Sequence, residues 1–307
     1  MTTTSTDLAR DRGPAMDRRS RGVLLAGVTA VISGFSVFVN GYGVRRFDDP
    51  TTYTTAKNLI AALLIGAAFI SWRSRADAAR TEGRRPPRWV LGVVAVIGGS
   101  VPFVLFFEGL ARVSSRDAAF IHKTLVAWVA VLAVVLLRER LAPAHFVAIG
   151  LILFGHAALM GGVGMPAFGD GELLILLATL CWSVEVVVSR SVLRRGFDEL
   201  ALSTARMGGG VVVLLGWAVA RGAAGDLVGL SVEQWQWALL TGLFLSGYVI
   251  SWHLALARAQ AVDVTAVLVI GAVITALLNA GVKDVAVEPL GLVLLGAGGL
   301  LVAAAGL

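Results

Sequence analysis

Ten stretches of about 20 residues, nearly free of charge, constrain what this chain can fold into more than any other feature. An α-helix needs about 20 residues to cross the roughly 30 Å hydrocarbon core of a bilayer. Helices also pair their own backbone N–H and C=O groups, as lipid requires. The sequence therefore predicts an all-α polytopic membrane protein with ten transmembrane helices. The stretches lie at residues 22–42, 52–72, 89–110, 118–137, 143–163, 171–189, 199–220, 235–256, 264–282 and 289–306.

The composition excludes an ordinary soluble domain. Hydrophobic residues make up 57% of the 307 residues and charged residues only 15%, with a mean hydropathy of +0.82. Soluble domains carry about a quarter charged residues. The net charge of +6 does not indicate nucleic acid, because basic residues beside membrane helices serve to orient the chain. The lipid bilayer is the expected partner, and nucleic acid is not.

Lysine and arginine are concentrated on one side of the predicted membrane, above all in the N-terminal tail and at residues 73–88. By the positive-inside rule, both termini are expected in the cytoplasm of a multi-pass protein of the cell membrane. Residues 1–21 are polar and lack periodicity, so they are expected to form a disordered cytoplasmic tail, in which Met16 could be the true start. The single cysteine, Cys181, lies in an apolar stretch, which excludes a disulfide framework.

The chain contains an internal repeat. The segment LARVSSRDA (110–118) returns as LARAQAVDV (256–264), with Leu, Ala, Arg and Asp in the same places. TTAKN returns at nearly the same separation as STARM, which aligns Lys57 with Arg206. Several such pairs occur in the same order along the chain, which indicates a duplicated unit.

Each repeat holds five apolar stretches, an odd number, so the second repeat must enter the membrane from the opposite side. The sequence therefore predicts two inverted five-helix repeats, at residues 22–163 and 171–307. In inverted repeats a binding site lies near the bilayer midplane between the halves, and access to it alternates. This pattern favours transport over simple residence in the membrane.

The segment LLRERLAPAHFVAIGLILFG (136–155) resembles the end of the first half in EamA-type members of the drug/metabolite transporter superfamily. Glu139-Arg140-Leu141 and Gly150 match that element, and Trp182 resembles a tryptophan that often opens the second half. The resemblance implies a ten-helix transporter and says little about its substrate. In the second half Glu288 is followed by Pro289, which departs from the pattern.

Two chargeable residues, His122 and Lys123, lie side by side in the apolar stretch AAFIHKTLVAW. Charge inside the membrane is costly and usually marks function. The alternating directions of the helices place Lys57, Glu108, His122 and Lys123 at one level in the outer half, and we expect these side chains to bind substrate. Two alternatives remain for Lys123, a structural ion pair with Glu108 and snorkelling to the interface. Trp128 and Trp182 are expected to line an apolar part of the same cavity.

Glu185, Glu108 and His253 are candidates for proton coupling. A structural bridge from Glu185 to Arg206 or Arg190 is an equal alternative, and His253 could be a hydrogen-bonded packing residue. Lys57 and Arg206, which the repeat aligns with each other, are expected either to hold the two repeats in register or to contact substrate.

The sequence thus predicts a secondary transporter of a small polar metabolite, amino-acid-like or another anionic or zwitterionic solute, that works by alternating access as an exporter. A lipid or lipid-linked-sugar flippase of the same fold and, behind it, a membrane-embedded transferase are the alternatives. No G-x-x-x-x-G-K-[ST] motif indicates direct use of ATP, and no His/Cys spacing indicates a metal, so no cofactor or metal is expected. Glycines in the fifth and tenth stretches favour close packing within a monomer, with a homodimer as the alternative.

Overall fold

The computed structural model describes residues 17–76, 86–110, 112–113, 115–159, 169–283 and 288–306. Within these ranges the chain forms helices, joined by turns and short loops, and no strand. The α-helices are α1 Arg18–Gly43, α2 Pro50–Ala76, α3 Arg88–Gly99, α4 Val101–Leu110, α5 Ser115–Lys123, α6 Leu125–Leu137, α7 Pro143–Leu159, α8 Asp170–Arg194, α9 Glu199–Ala220, α10 Ala224–Val228, α11 Val232–Leu256, α12 Ala261–Leu268, α13 Ile270–Lys283 and α14 Pro289–Gly306.

Every one of the ten predicted apolar stretches falls on helix. Among the described residues, 8 spans are long and apolar enough to cross a membrane. The fifth and tenth stretches form shorter apolar helices, Pro143–Leu159 and Pro289–Ala305. The all-helical membrane architecture is confirmed, whereas the count of ten crossings stays a prediction.

Helix α1 begins at Arg18, inside the segment expected to be a disordered tail, so that boundary was wrong by a few residues. The Asp17 carboxylate caps the helix by accepting from Arg19 N at 3.3 Å. The side chain of Arg18 also donates to Ala257 O at 2.9 Å, which holds the first turn against the bundle. Residues 1–16 lie outside the described part of the chain.

The helices that close the two halves, α7 and α14, pack antiparallel against each other through glycines. A Cβ on Gly155 would lie 2.7 Å from Leu295 N, and a Cβ on Gly291 would lie 2.7 Å from Leu159 N. These glycines therefore serve close packing within one chain. Equivalent helices of the two repeats run in opposite directions here, as the inverted arrangement requires. Gly161 and Gly162, which were also expected to pack, lie outside the described residues.

The fourth and ninth apolar stretches, expected to be continuous, are each interrupted near the middle, and at matching points of the repeat. At the first break Thr124 N donates to Ile121 O at 3.1 Å. At the second break Val269 N donates to Ala266 O at 3.2 Å. These bonds span three residues instead of four, so each helix tightens and ends before the next begins. Neither Thr124 nor Val269 is a glycine or proline, which explains why the sequence did not indicate the breaks.

We call the end of the bundle that holds Arg18 the terminal end. Helix α7 also starts at this end, because His145 in its first turn and Arg19 of α1 both contact Asp263. Since α14 is antiparallel to α7, α14 ends there. The opposite end, which holds Arg46 and Arg112, is called the far end.

Candidate functional site

A cavity of about 490 Å³ lies between the two halves, a volume typical of small-molecule sites. Six of the residues singled out from the sequence line it. They come from both repeats and from both levels of the predicted membrane: Lys57, His122, Lys123, Trp182, Glu185 and Arg206. Lys57 and Arg206, which the repeat aligns with each other, thus reach the same space from opposite halves.

Lys57 is nearly buried and is held by an amide. Its Nζ donates to Asn40 Oδ1 at 3.1 Å, and the same oxygen accepts from Tyr53 Oη at 2.6 Å. Asn40 Nδ2 in turn donates to Ser36 O at 2.6 Å. The Lys57 ammonium also lies 5.1 Å from the centre of the Tyr53 ring, a cation–π distance. The bond to Asn40 fixes the position of the ammonium group. Because no described carboxylate pairs with Lys57, the charge of that group stays uncompensated.

His122 and Lys123 end α5 immediately before the break at Thr124. The His122 ring meets the edge of Trp182 with centroids 5.0 Å apart and that of Phe106 at 5.5 Å. Lys123 lines the cavity and makes no ion pair with any described residue. Of the three hypotheses for Lys123, this placement agrees with the cavity-lining one, and its role in binding stays a prediction.

Two side chains expected at this site lie elsewhere. The Glu108 carboxylate is paired at the far end with Arg221 Nη1 at 2.8 Å and with Arg112 Nη2 at 3.4 Å. Trp128 is 38% exposed, and its Nε1 donates to Thr124 Oγ1 at 3.0 Å across the helix break. Neither is among the cavity-lining residues, so the structure does not bring them together with Lys57 and Lys123.

Glu185, which lines the cavity, forms a buried cluster with His253 and Arg206. Glu185 Oε1 accepts from Ser189 Oγ at 2.6 Å, and His253 Nδ1 lies 2.7 Å from Ser203 Oγ. The Glu185 carboxylate lies 3.7 Å from Arg206 Nη2 and 3.8 Å from His253 Nε2. These distances are longer than hydrogen bonds. Glu185 Oε2, Arg206 Nη1 and His253 Nε2 accordingly have no hydrogen-bond partner among the described residues.

A proline in the third apolar stretch frees a backbone carbonyl that holds two side chains of the cavity. Pro102 has no N–H, so it cannot donate to Gly98 O four residues earlier, and the helix is interrupted at Ser100. The freed carbonyl accepts instead from Trp182 Nε1 at 3.3 Å and from Arg206 Nε at 3.4 Å. Two cavity side chains are thus held by one backbone oxygen, a link for which Pro102 was the only signal in the sequence.

Ion pairs gather at the terminal end of the bundle, around the connector between α11 and α12 and the first turn of α12. Asp263 is fully buried and accepts from Arg19 Nε at 3.0 Å. Its other carboxylate oxygen lies 2.8 Å from His145 Nε2. The sequence had marked Asp263 only as a repeat position, not as part of a site.

Glu139 and Arg190 hold the same connector from the other side. Glu139 Oε1 accepts from Arg190 Nε at 3.2 Å, and Oε2 accepts from Ala261 N at 3.0 Å. Arg190 Nη1 also donates to Leu256 O at 2.6 Å. Burial raises the pKa of the Glu139 carboxyl above its ordinary value, although Arg190 acts to lower it. Arg190 thus pairs with Glu139 and not with Glu185, which removes one of the alternatives for Glu185.

Comparisons with known proteins agree with this architecture. The model of the EamA-like transporter family matches residues 20–161 and again residues 170–305. One crystal structure superposes with a TM-score of 0.72 over 92% of this chain and 98% of its own, at 19% sequence identity, which shows the fold alone. No curated protein matches. Among the described residues, no group of three or more His, Cys, Asp or Glu could hold a metal ion.

Proposed function

This chain belongs to the EamA-like transporter family, and we propose that it moves a small solute carrying negative charge through the central cavity by alternating access. Membership makes it a multi-pass membrane transporter of the drug/metabolite transporter superfamily. The proposal adds three points to family membership. The solute is negatively charged, the mechanism is alternating access, and, with both termini in the cytoplasm, the solute is exported.

The observation that carries the proposal is the pair of lysines at the cavity wall without a described carboxylate partner. Charge within a membrane protein is retained where it serves a substrate or ion pathway. A cavity between two inverted repeats is also the place where such transporters bind their solute. The ion pairs at the terminal end support alternating access, since a carrier must be able to seal one end while the other is accessible.

The proposal is tested by counterflow in liposomes that contain the purified protein. A preloaded carboxylate should drive saturable accumulation of the same labelled carboxylate, while labelled choline, a cation, should not accumulate. Lys123→Ala should abolish the flux with folding retained, because it removes a positive charge from the cavity. Arg140→Ala serves as the matched control, since Arg140 is exposed in the loop before α7 and its loss should leave flux unchanged. Wild-type flux in Lys123→Ala would overturn the assignment.

A further inference from the structure

The charges that line the cavity do not balance. Among the lining residues three carry positive charge, Lys57, Lys123 and Arg206, and one carries negative charge, Glu185. Glu185 faces Arg206, so these two compensate each other. The two lysines remain, and holding uncompensated ammonium groups away from water is unfavourable. A bound anion would relieve that cost, whereas a cation would add to it.

The hydrogen bonds around Lys57 favour an anion over a neutral or zwitterionic ligand. The Lys57 ammonium donates to the neutral amide oxygen of Asn40, and that oxygen also accepts from Tyr53. An ammonium has three donors, and the amide uses one of them among the described residues. The remaining donors are available to a carboxylate. Among the described lining residues the carboxylate is that of Glu185, which is fully buried and lies 3.7 Å from the guanidinium of Arg206, so the positive charge of Arg206 would oppose the ammonium group of a zwitterion there.

Aromatic rings from several helices line the same space. Trp182 lies with its ring centre 5.3 Å from that of Phe103 and 5.0 Å from that of His122, both edge-on. Tyr248 and Trp252 of α11 stack with centroids 6.0 Å apart and planes within 10°. All of these residues line the cavity. A flat apolar ligand in the cavity would therefore contact aromatic rings.

We propose that the solute is an aromatic carboxylate, a planar ring that bears one net negative charge and no ammonium group. Its carboxylate binds at Lys57 and Lys123, and its ring lies against Trp182 and the Tyr248–Trp252 stack. This inference rests on the proposed function in assuming that the cavity is the solute site, and it narrows the solute from any small anion to one class.

The test uses a series of small molecules that share either the aromatic ring or the negative charge. The measurement is the thermal stabilisation that each gives to the purified protein in detergent. A ligand that binds the folded state raises the unfolding temperature. Phenylacetate should stabilise the wild-type protein. Phenylethylamine, with the same ring and the opposite charge, and acetate, with the charge and no ring, should not. Phenylalanine, the zwitterion, should bind at least about tenfold more weakly than phenylacetate. Equal stabilisation by phenylethylamine and phenylacetate, or by acetate and phenylacetate, would overturn the proposal.

Two variants separate charge recognition from folding. Lys57→Gln and Lys123→Gln should each weaken phenylacetate binding by about tenfold or more, since a charge-assisted hydrogen bond is lost. Arg140→Gln, which removes a positive charge outside the cavity, should bind like the wild type. If both lysine variants bound phenylacetate normally, the anion site would lie elsewhere. Should either variant fold poorly, the comparison among probes on the wild-type protein decides alone.

Counterflow distinguishes failure of this inference from failure of the proposed function. Binding of phenylacetate without any counterflow would refute transport and leave the ligand class standing. Saturable counterflow of an aliphatic acid such as succinate, with no binding of phenylacetate, would support transport and refute the ligand class.

Discussion

The side-chain amide of Asn40 determines whether the positive charge of Lys57 is available in the cavity. Its oxygen accepts from Tyr53 and Lys57, and its nitrogen donates to the backbone of Ser36. A carboxylate in its place would neutralise Lys57, whereas the amide orients the ammonium and leaves its charge available. Nothing in the sequence distinguished Asn40 from other polar residues of the first apolar stretch, because its role depends on a neighbour in α2.

Asn40→Asp is expected to reduce flux of a carboxylate by about tenfold or more, because the new carboxylate would compete with the solute for Lys57. The fold should persist, since the shape is unchanged. Asn279→Asp makes the same change in α13 outside the cavity lining and is the matched control. Flux is measured by counterflow and folding by thermal unfolding, and normal flux in Asn40→Asp would contradict this role.

Glu185→Gln tests the proposed coupling to protons. The carboxylate has one oxygen without a partner beside Arg206 and His253, so a proton bound there would change the charge that faces the cavity. The wild type should transport faster under an imposed pH gradient, and Glu185→Gln should exchange solute without responding to the gradient. Glu172→Gln, in the first turn of the same helix, should respond as the wild type does. A persistent response in Glu185→Gln would exclude this residue as the proton site.

At the scale of elements, the interrupted helices place functional side chains. The break at Thr124 ends α5 at Lys123, and the break at Ser100 frees the carbonyl of Gly98. The sequence predicted the apolar stretches and their repetition, because length and composition decide both. It did not predict where the helices break. It also did not predict the partners of Glu108, which lie directly after α9 and in the turn after α4.

Pro102→Ala supplies the missing N–H, which can then donate to Gly98 O and compete with Trp182 Nε1 and Arg206 Nε for that oxygen. We expect slower amide hydrogen exchange around residues 100–104 and weaker phenylacetate binding, as Trp182 and Arg206 lose a shared acceptor. Pro143→Ala is the control, because Pro143 is the first residue of α7, where a missing N–H leaves no bond unmade. Unchanged exchange and binding in Pro102→Ala would show that the proline does not hold this wall.

At the scale of the whole molecule, the terminal end is held together by contacts between distant parts of the chain. The connector between α11 and α12 is held from α1 through Arg19, from the loop before α7 through Glu139, and from α8 through Arg190. The repeat marked Glu139 and Asp263 in the sequence, but a repeat cannot show which residues of different helices meet.

Glu139→Gln should loosen the terminal end, because Arg190 would lose its charged partner. Opening can be measured with a cysteine at Leu268, which lines the cavity, in a chain that also carries Cys181→Ser. A membrane-impermeant maleimide added at the terminal side should react faster in Glu139→Gln. Glu288→Gln makes the same change at the far end, in the repeat equivalent of Glu139, and should leave the rate of the maleimide reaction unchanged. Equal rates in all three proteins would show that Glu139 does not seal this end.

The two halves are copies, yet their counterparts of Glu139 are used differently. Glu288 accepts from Gly291 N at 2.5 Å and so caps its own helix. A second conformation would be built if the halves exchanged their local folds, with Glu288 turning toward the start of α5, which is the repeat equivalent of the start of α12. Leu294 stands where the first half has His145, so the contact of His145 with Asp263 at the terminal end has no equivalent from Leu294 at the far end. If the carrier alternates as proposed, this missing contact should favour the form sealed at the terminal end, and the return of the empty carrier from that form should limit net flux more than exchange.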